Sequence, residues 1–415
     1  MAPIQSQKDL AKAVRKAVDQ QPVFDVHTHL YDTNFGGLLL WGIDEVLTYH
    51  YLVAEVMRYC GLSTDKFWQL DKKAQADLIW DRLFIKNSPL SEATRGILTC
   101  LDRLGVNLKN KSLDKARAYF KGRKAAQYIE TVFEAANLEA LVMTNNPFDP
   151  LERPVWDKGP RLDPRFKAAL RIDNLLTDWP AACKTLKELG YKVTPNLAPN
   201  VFGEIRRFLG KWIDRMEPVY MAASLPPTFD FPAATPCGKI IEHAIAPVSR
   251  ERAVPFAMMI GVKKQINPAL RLAGDGVGRS DVAAVERLCA AYPDNKFLVT
   301  MLSRENQHEL CVVARKFRNL MVFGCWWFLN NPSLVREMTL MRMETLGTSF
   351  IPQHSDARVL DQLIYKWVHS REVIADVLID KYAKVMANGW PVTKKDIRHD
   401  VENLLAGNFK RFVGK

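Results

Sequence analysis

Short apolar runs alternate along this chain with longer stretches that have helical spacing. Eight of the runs read as strands. The first covers 22–26 and leads into His27-Thr28-His29; it is followed by 141–144, 166–171, 219–224, 255–261, 297–302, 321–326 and 349–352. Most of them are apolar throughout rather than alternating, as in parallel sheets whose strands are buried on both faces. Helical pattern lies between most of them. Residues 179–189 run into Gly190, a helix stop, and 202–216 keep helical spacing. Residues 281–291 follow Ser280, a predicted N-cap, and Asn306 with Glu309 has the form of a capping box for a helix through Phe317. Strands alternating with helices at this spacing predict parallel βα units, and eight units predict a closed (β/α)8 barrel.

One stretch breaks the rhythm. Between about 36 and 121 there is helical pattern (45–59, 64–84, 91–104 and 115–120) and no convincing strand. That length exceeds a single crossover helix. The predicted organisation is therefore a catalytic barrel from residues 1–35 and 122–415, with an all-helical insertion, 36–121, on the first βα loop. Such loops lie at the C-terminal face, where barrel active sites form.

Composition agrees with this picture. The 415 residues are 48% hydrophobic and 25% charged, enough for a large core. No apolar run reaches the ~20 residues that span a bilayer, and the first residues lack a basic-then-apolar secretory pattern. A cytoplasmic location without a membrane partner is the expectation. The seven cysteines are scattered, odd in number and never spaced as CxxC, which argues against a disulfide framework or a cysteine-ligated zinc. They are expected to pack as small hydrophobes. A formal net charge of +12 raises the question of nucleic acid. The cations are spread along the chain, however, and the densest group, Lys394-Lys395-Asp396-Ile397-Arg398, is interrupted by an acid. With no recognisable nucleic-acid-binding signature, the charge is assigned to solubility and to attraction for anionic small molecules.

Successive strand side chains point to opposite faces, so His27 and His29 share a face. In a barrel the first and eighth strands are neighbours, which brings Asp356, beyond the eighth run, to the same end. Two neutral imidazoles and a carboxylate suit Zn²⁺, with Mn²⁺, Fe²⁺ or Ni²⁺ as alternatives, and leave coordination positions open. The HxH pair alone is equally two hydrogen-bonded histidines; Asp356 is what turns it into a metal site. Further candidates sit at strand ends or on the insertion. These are Arg171, Lys263-Lys264, Arg304, Trp326-Trp327 and Tyr49-His50-Tyr51. Cations at strand ends suit carboxylates, although each could instead serve a surface ion pair, and each tryptophan could be core. His243, His308, His369 and His399 fall on predicted helices and are read as structural or surface groups. Gly274-Asp275-Gly276-Val277-Gly278 has Arg279 where a dinucleotide fingerprint needs glycine, and is read as a flexible loop.

These residues resemble the amidohydrolase superfamily and, within it, the uronate isomerases. The resemblance rests on Phe24-Asp25-Val26-His27-Thr28-His29-Leu30, Leu47-Thr48-Tyr49-His50-Tyr51-Leu52, Gly324-Cys325-Trp326-Trp327-Phe328 and His354-Ser355-Asp356-Ala357-Arg358. It extends over nearly the whole chain and is nearest to the shorter branch of that family; the longer branch has serine where Ala357 stands. The resemblance implies an aldose–ketose isomerase that interconverts D-glucuronate with D-fructuronate and D-galacturonate with D-tagaturonate through a cis-enediol. It implies one divalent ion on His27, His29 and Asp356, engaging the C6 carboxylate and C5 hydroxyl of a hexuronate. Asp356 would be the base for the C2 proton, Tyr51 would lie near the C1 carbonyl, and Arg358 would hold the C2 and C3 hydroxyls. Arg171, His50 and Trp326 would touch substrate, in an assembly of identical chains.

The main alternative is a metal-dependent hydrolase on the same barrel, in which Asp356 activates water. No histidine ends the fifth or sixth strand, where binuclear hydrolases of that superfamily place ligands, and the candidate groups favour a polyol carboxylate. A basic binding protein that has lost catalysis is the other alternative, and the intact His27, His29, Asp356 and Arg358 argue against it.

Overall fold

The computed structural model describes residues 3–414. Its strands in chain order are β1 (Val23–Thr28), β2 (Leu138–Asn145), β3 (Phe166–Arg171), β4 (Met221–Leu225), β5 (Phe256–Ile260), β6 (Val262–Lys263), β7 (Gly276–Val277), β8 (Phe297–Met301) and β9 (Leu320–Val322). Seven of them form one curled parallel sheet in the order β1-β2-β3-β4-β5-β8-β9. Every residue of β1, β5, β8 and β9 is buried, as their continuous apolar runs require. Their side chains still alternate between two clusters. Phe24, Val26, Val142, Ala222, Ala257 and Leu298 fill one. Val23, Leu141, Met221, Met258 and Val299 pack into the larger one, shared with the helices.

The expected eighth strand at 349–352 is not a strand. Ile351 donates its N–H to the Val322 carbonyl at 3.0 Å and accepts from Gly324 N–H at 2.9 Å; five residues later the chain has crossed to β1. There Asp356 N–H donates to the His27 carbonyl at 3.1 Å and His29 N–H to the Ala357 carbonyl at 2.7 Å. A ladder cannot run between these contacts, because Pro352 has no N–H and Asp356 adopts φ +52°. The seventh run is also shorter than expected, ending as a strand at Val322 before Gly324 turns with φ +67°.

Two predicted helix starts are corrected. Neither Ser280 nor Asn306 caps a helix with its side chain, because Asn306 pairs with the Ser280 backbone. It accepts from the Ser280 N–H at 3.0 Å and donates to its carbonyl at 2.7 Å. The helix at Ala283–Ala291 begins after Val282, and the one at Gln307–Ala314 has no side-chain cap. The glycine-rich 274–278 stretch is ordered rather than loose. β6 and β7 pair antiparallel, and buried Asp275 accepts from Gln265 N–H and Lys264 Nζ, both at 2.8 Å.

Among the described residues, no strand lies between β1 and β2. The chain there forms helices that include Ile43–Leu47, His50–Val56, Thr64–Gln69, Lys72–Trp80, Glu92–Arg103 and Leu113–Phe120. The expected helix at 64–84 is broken at Asp71, which accepts from Ala74 N–H and restarts the helix as an N-cap. These helices share an apolar cluster built around Phe67, Ile79, Trp80 and Leu101. Glu92–Arg103 lies directly on the long helix Gln362–Ala387. A Cβ at Gly96 would stand 2.6 Å from the Tyr365 ring, so only glycine permits that approach. No helix among the described residues is long and apolar enough to cross a membrane.

Candidate metal centre and active site

The end of β1 presents His27 and His29 on one face, as strand periodicity requires, and the 351–357 stretch brings Asp356 beside them. One ligand atom from each of these three residues lies within 4.8 Å of the others. Asp356 Oδ1 is 3.3 Å from His29 Nε2 and 3.8 Å from His27 Nε2.

Neighbouring hydroxyls fix the tautomer of each imidazole. The Tyr220 hydroxyl donates to the Val26 carbonyl at 2.7 Å, so at 3.0 Å from His27 Nδ1 it must accept. The Thr144 hydroxyl likewise donates to the Thr28 carbonyl at 2.9 Å and accepts from His29 Nδ1 at 2.9 Å. Both Nδ1 atoms therefore carry the proton, and both Nε2 atoms turn a lone pair toward Asp356. Lone pairs facing a carboxylate oxygen at these distances repel unless a cation lies between them. His27 Nε2 and Asp356 Oδ1 are buried and have no hydrogen-bond partner. A divalent metal suits this donor set, since neutral imidazoles and a carboxylate are its ordinary ligands. Burial lowers the pKa of both histidines. Burial alone would raise that of the Asp356 carboxyl, and the nearby Lys366 charge works against that rise.

Other buried groups without partners flank the triad. His50 Nε2, the Tyr51 hydroxyl and the Trp327 indole N–H are all buried and unpaired. His50, Tyr51, Trp327 and Lys366 line a cavity of about 240 Å³, and the field of Asp356 reaches both His50 and Tyr51. Burial pushes the His50 pKa down to about 3 and that of Tyr51 well up, so at neutral pH both are uncharged. The Arg358 guanidinium is half-buried and makes no ion pair among the described residues, while its charge acts on His29. Arg171 holds Asp173 at 3.1 Å, also acts on His29, and opens onto a second cavity of about 540 Å³ with Ser224, Thr228 and Lys264.

The remaining sequence candidates divide clearly. Trp326 is buried in the apolar interior cluster. Its neighbour Trp327 has the ring nearer the site, 5.4 Å from His50 and stacked on Phe328. Arg304 is exposed and paired with Glu337, and Lys264 with Asp275. His369 is buried between Thr99 and Glu92, whereas His243 is exposed. Five of the seven cysteines are buried, and all are free thiols. Sequence reasoning missed Tyr220, Thr144, Lys366 and His354. His354 is buried between His27 and Phe323, with ring centroids 5.2 and 5.5 Å away, and neither of its ring nitrogens has a partner.

Solved structures that resemble the chain over nearly its full length include three isomerases. A uronate isomerase from Bacillus halodurans is 56% identical with a TM-score of 0.98, over 99% of this chain and 98% of that one. A glucuronate isomerase from Caulobacter crescentus is 14% identical with a TM-score of 0.77, over 98% and 94%. A uronate isomerase from Thermotoga maritima is 15% identical with a TM-score of 0.75, over 99% of each chain. At those two lower identities the likeness is one of fold. No protein-family model matches the chain, and no curated protein does.

Proposed function

This chain belongs to the uronate isomerase family, and from that membership we propose that it interconverts D-glucuronate with D-fructuronate and D-galacturonate with D-tagaturonate. The observation that carries the reading is the set of buried, unpartnered polar atoms around one acid: His27 Nε2, Asp356 Oδ1, His50 Nε2 and the Tyr51 hydroxyl. Burying such groups without partners is costly, so each is read as reserved for metal or substrate.

What one divalent ion on His27, His29 and Asp356 supplies when bound (Zn²⁺, with Mn²⁺, Fe²⁺ or Ni²⁺ as alternatives) is Lewis-acid attraction for a carboxylate and an adjacent hydroxyl. Asp356 takes the C2 proton of the open-chain aldose and returns it to C1, which passes through a cis-enediol. Tyr51, uncharged and with a free hydroxyl, donates a proton to the C1 oxygen as the enediol forms and regains one from the C2 hydroxyl as the ketone forms. Arg358, cationic and unpaired, holds the C2 and C3 oxygens, where charge develops. Arg171, His50 and Trp326 are the remaining substrate contacts, and Trp327 joins them through its free indole N–H.

Two further proposals concern architecture. The 351–357 stretch is the eighth stave of a (β/α)8 barrel, spanned by two separate contacts in place of a ladder. Residues 36–121 form a helical insertion over the mouth of the barrel made by 1–35 and 122–415. We also assign a small-molecule substrate, a homo-oligomeric assembly and a cytoplasmic setting. The metal-dependent hydrolase alternative is not favoured, because the relative at 56% identity is a uronate isomerase, whereas a structure named as a metal-dependent hydrolase is only 13% identical and shares the fold alone.

The test is turnover of D-glucuronate and D-galacturonate, with products resolved by mass and carbonyl type. A ketose of unchanged mass supports the proposal. Inertness to both sugars in metal-replete enzyme, together with hydrolysis of an ester or lactone, overturns it.

A further inference from the structure

Asp356 is one of the few residues other than glycine with positive φ, at +52°, a conformation that costs energy unless its surroundings impose it. Ser355, the residue just before it, is held at its N–H and its carbonyl by two buried charged side chains. Asp25, at the centre of β1, accepts the Ser355 N–H on Oδ1 at 3.1 Å. The other oxygen of that carboxylate accepts the Trp367 indole N–H at 2.8 Å, which ties it to the long helix Gln362–Ala387. On the opposite side, Lys366 of the same helix donates to the Ser355 carbonyl. Asn330 Nδ2 shares that carbonyl at 3.2 Å. Lys366 is only 3% exposed and has no carboxylate partner at ion-pair distance among the described residues. Its Nζ also stands 5.4 Å from the centre of the Tyr51 ring.

A buried ammonium without a salt bridge is expensive. If one were needed only to satisfy a carbonyl, a neutral donor such as Asn330 would do. Resting on the reading of Asp356 as metal ligand and base, we propose that Lys366 is a positioning residue for the reaction. It fixes the Ser355 carbonyl while Asp25 fixes the Ser355 N–H, and so the aim of the Asp356 carboxylate, while its charge faces the Tyr51 ring. Residues that orient ligands in this way commonly change metal affinity or activity by about 10- to 100-fold when removed.

The test compares wild type, K366M and K366R by Zn²⁺ affinity, measured by competition with a chromophoric chelator, and by kcat and KM at saturating metal. K366M removes both donor and charge. Its Zn²⁺ affinity and kcat are each expected to fall by ~10- to 100-fold, with KM within about threefold of wild type because Lys366 is assigned no substrate contact. K366R keeps a cationic donor and is expected to stay within about threefold of wild type in both. Unchanged Zn²⁺ affinity and kcat in K366M overturn the proposal. So does a rise in KM at constant kcat, which would make Lys366 a substrate contact. If K366M does not fold, K366R decides alone, and a tenfold loss in folded K366R overturns the proposal. Absence of uronate turnover in wild type would count against the isomerase reading only, because the Zn²⁺ comparison still judges Lys366.

Discussion

Three ligand atoms and two hydroxyls hold most of the chemistry at the scale of the residue. The Tyr220 and Thr144 hydroxyls leave both histidines with a lone pair facing Asp356, so in the proposed reaction the carboxylate serves as both metal ligand and base. Replacing Asp356 by Asn keeps its size but removes the basicity. In D356N assayed at saturating metal, kcat is predicted to drop by ~10²- to 10⁴-fold; near-wild-type turnover with metal bound would contradict the base assignment. His50 gives a separate prediction. Burial sets its folded pKa at about 3, against an ordinary 6.5. Above pH 6.5 neither state takes a proton there. Below it the unfolded chain gains a proton that the folded one refuses until about pH 3, so stability falls as pH falls through that window. Thermal melts should show wild type losing roughly 2–3 kcal/mol more than H50N between pH 7 and pH 4, and equal losses would contradict the burial argument. His27, His29 and Asp356 were legible in the sequence because strand periodicity and chain closure place them. The roles of Tyr51 and Arg358 came from family resemblance alone. Tyr220, Thr144 and Lys366 left no signal, because each acts across elements far away in sequence, on a partner that no spacing predicts.

At the scale of the element, continuous apolar runs located the strands well. Phe166–Arg171 is the expected strand residue for residue, and Phe256–Ile260 and Phe297–Met301 lie inside the expected runs. Both faces of the latter two are buried, so their hydrophobic signal is uninterrupted, whereas Lys167 interrupts the first. Ends and caps were less legible. Ser280 and Asn306 each look like a cap in isolation, but the Asn306 side chain is taken up by the Ser280 backbone and the Ser280 hydroxyl caps nothing, an arrangement that appears only once two loops meet. The eighth run failed as a strand because Pro352 and the left-handed Asp356 deny it a ladder. Gly324 sits at the corner where the β9 chain meets that run. Its φ is +67°, and a Cβ there would lie 1.8 Å from His354 Cδ2. G324A is therefore predicted to lose about 1–3 kcal/mol or more, through backbone strain and overpacking against the ring beside His27. A Tm within a degree of wild type would contradict that packing.

For the whole molecule, the helices between β1 and β2 and the long Gln362–Ala387 helix together line the cavity that holds His50 and Tyr51. The chain carries a net charge of +12, and the charges of Arg171 and Arg358 both act on His29, which suits an anionic sugar. Binding a metal to the folded state alone also adds stability by mass action, so function and stability share one site. The most direct measurement is uronate turnover and metal content on the same sample, before chelation, after it and after adding back Zn²⁺ or Mn²⁺. The account predicts about one metal per chain with ketose formation, joint loss of both, and joint recovery. Full turnover in metal-free protein, or metal-loaded protein inert to both D-glucuronate and D-galacturonate, would contradict it.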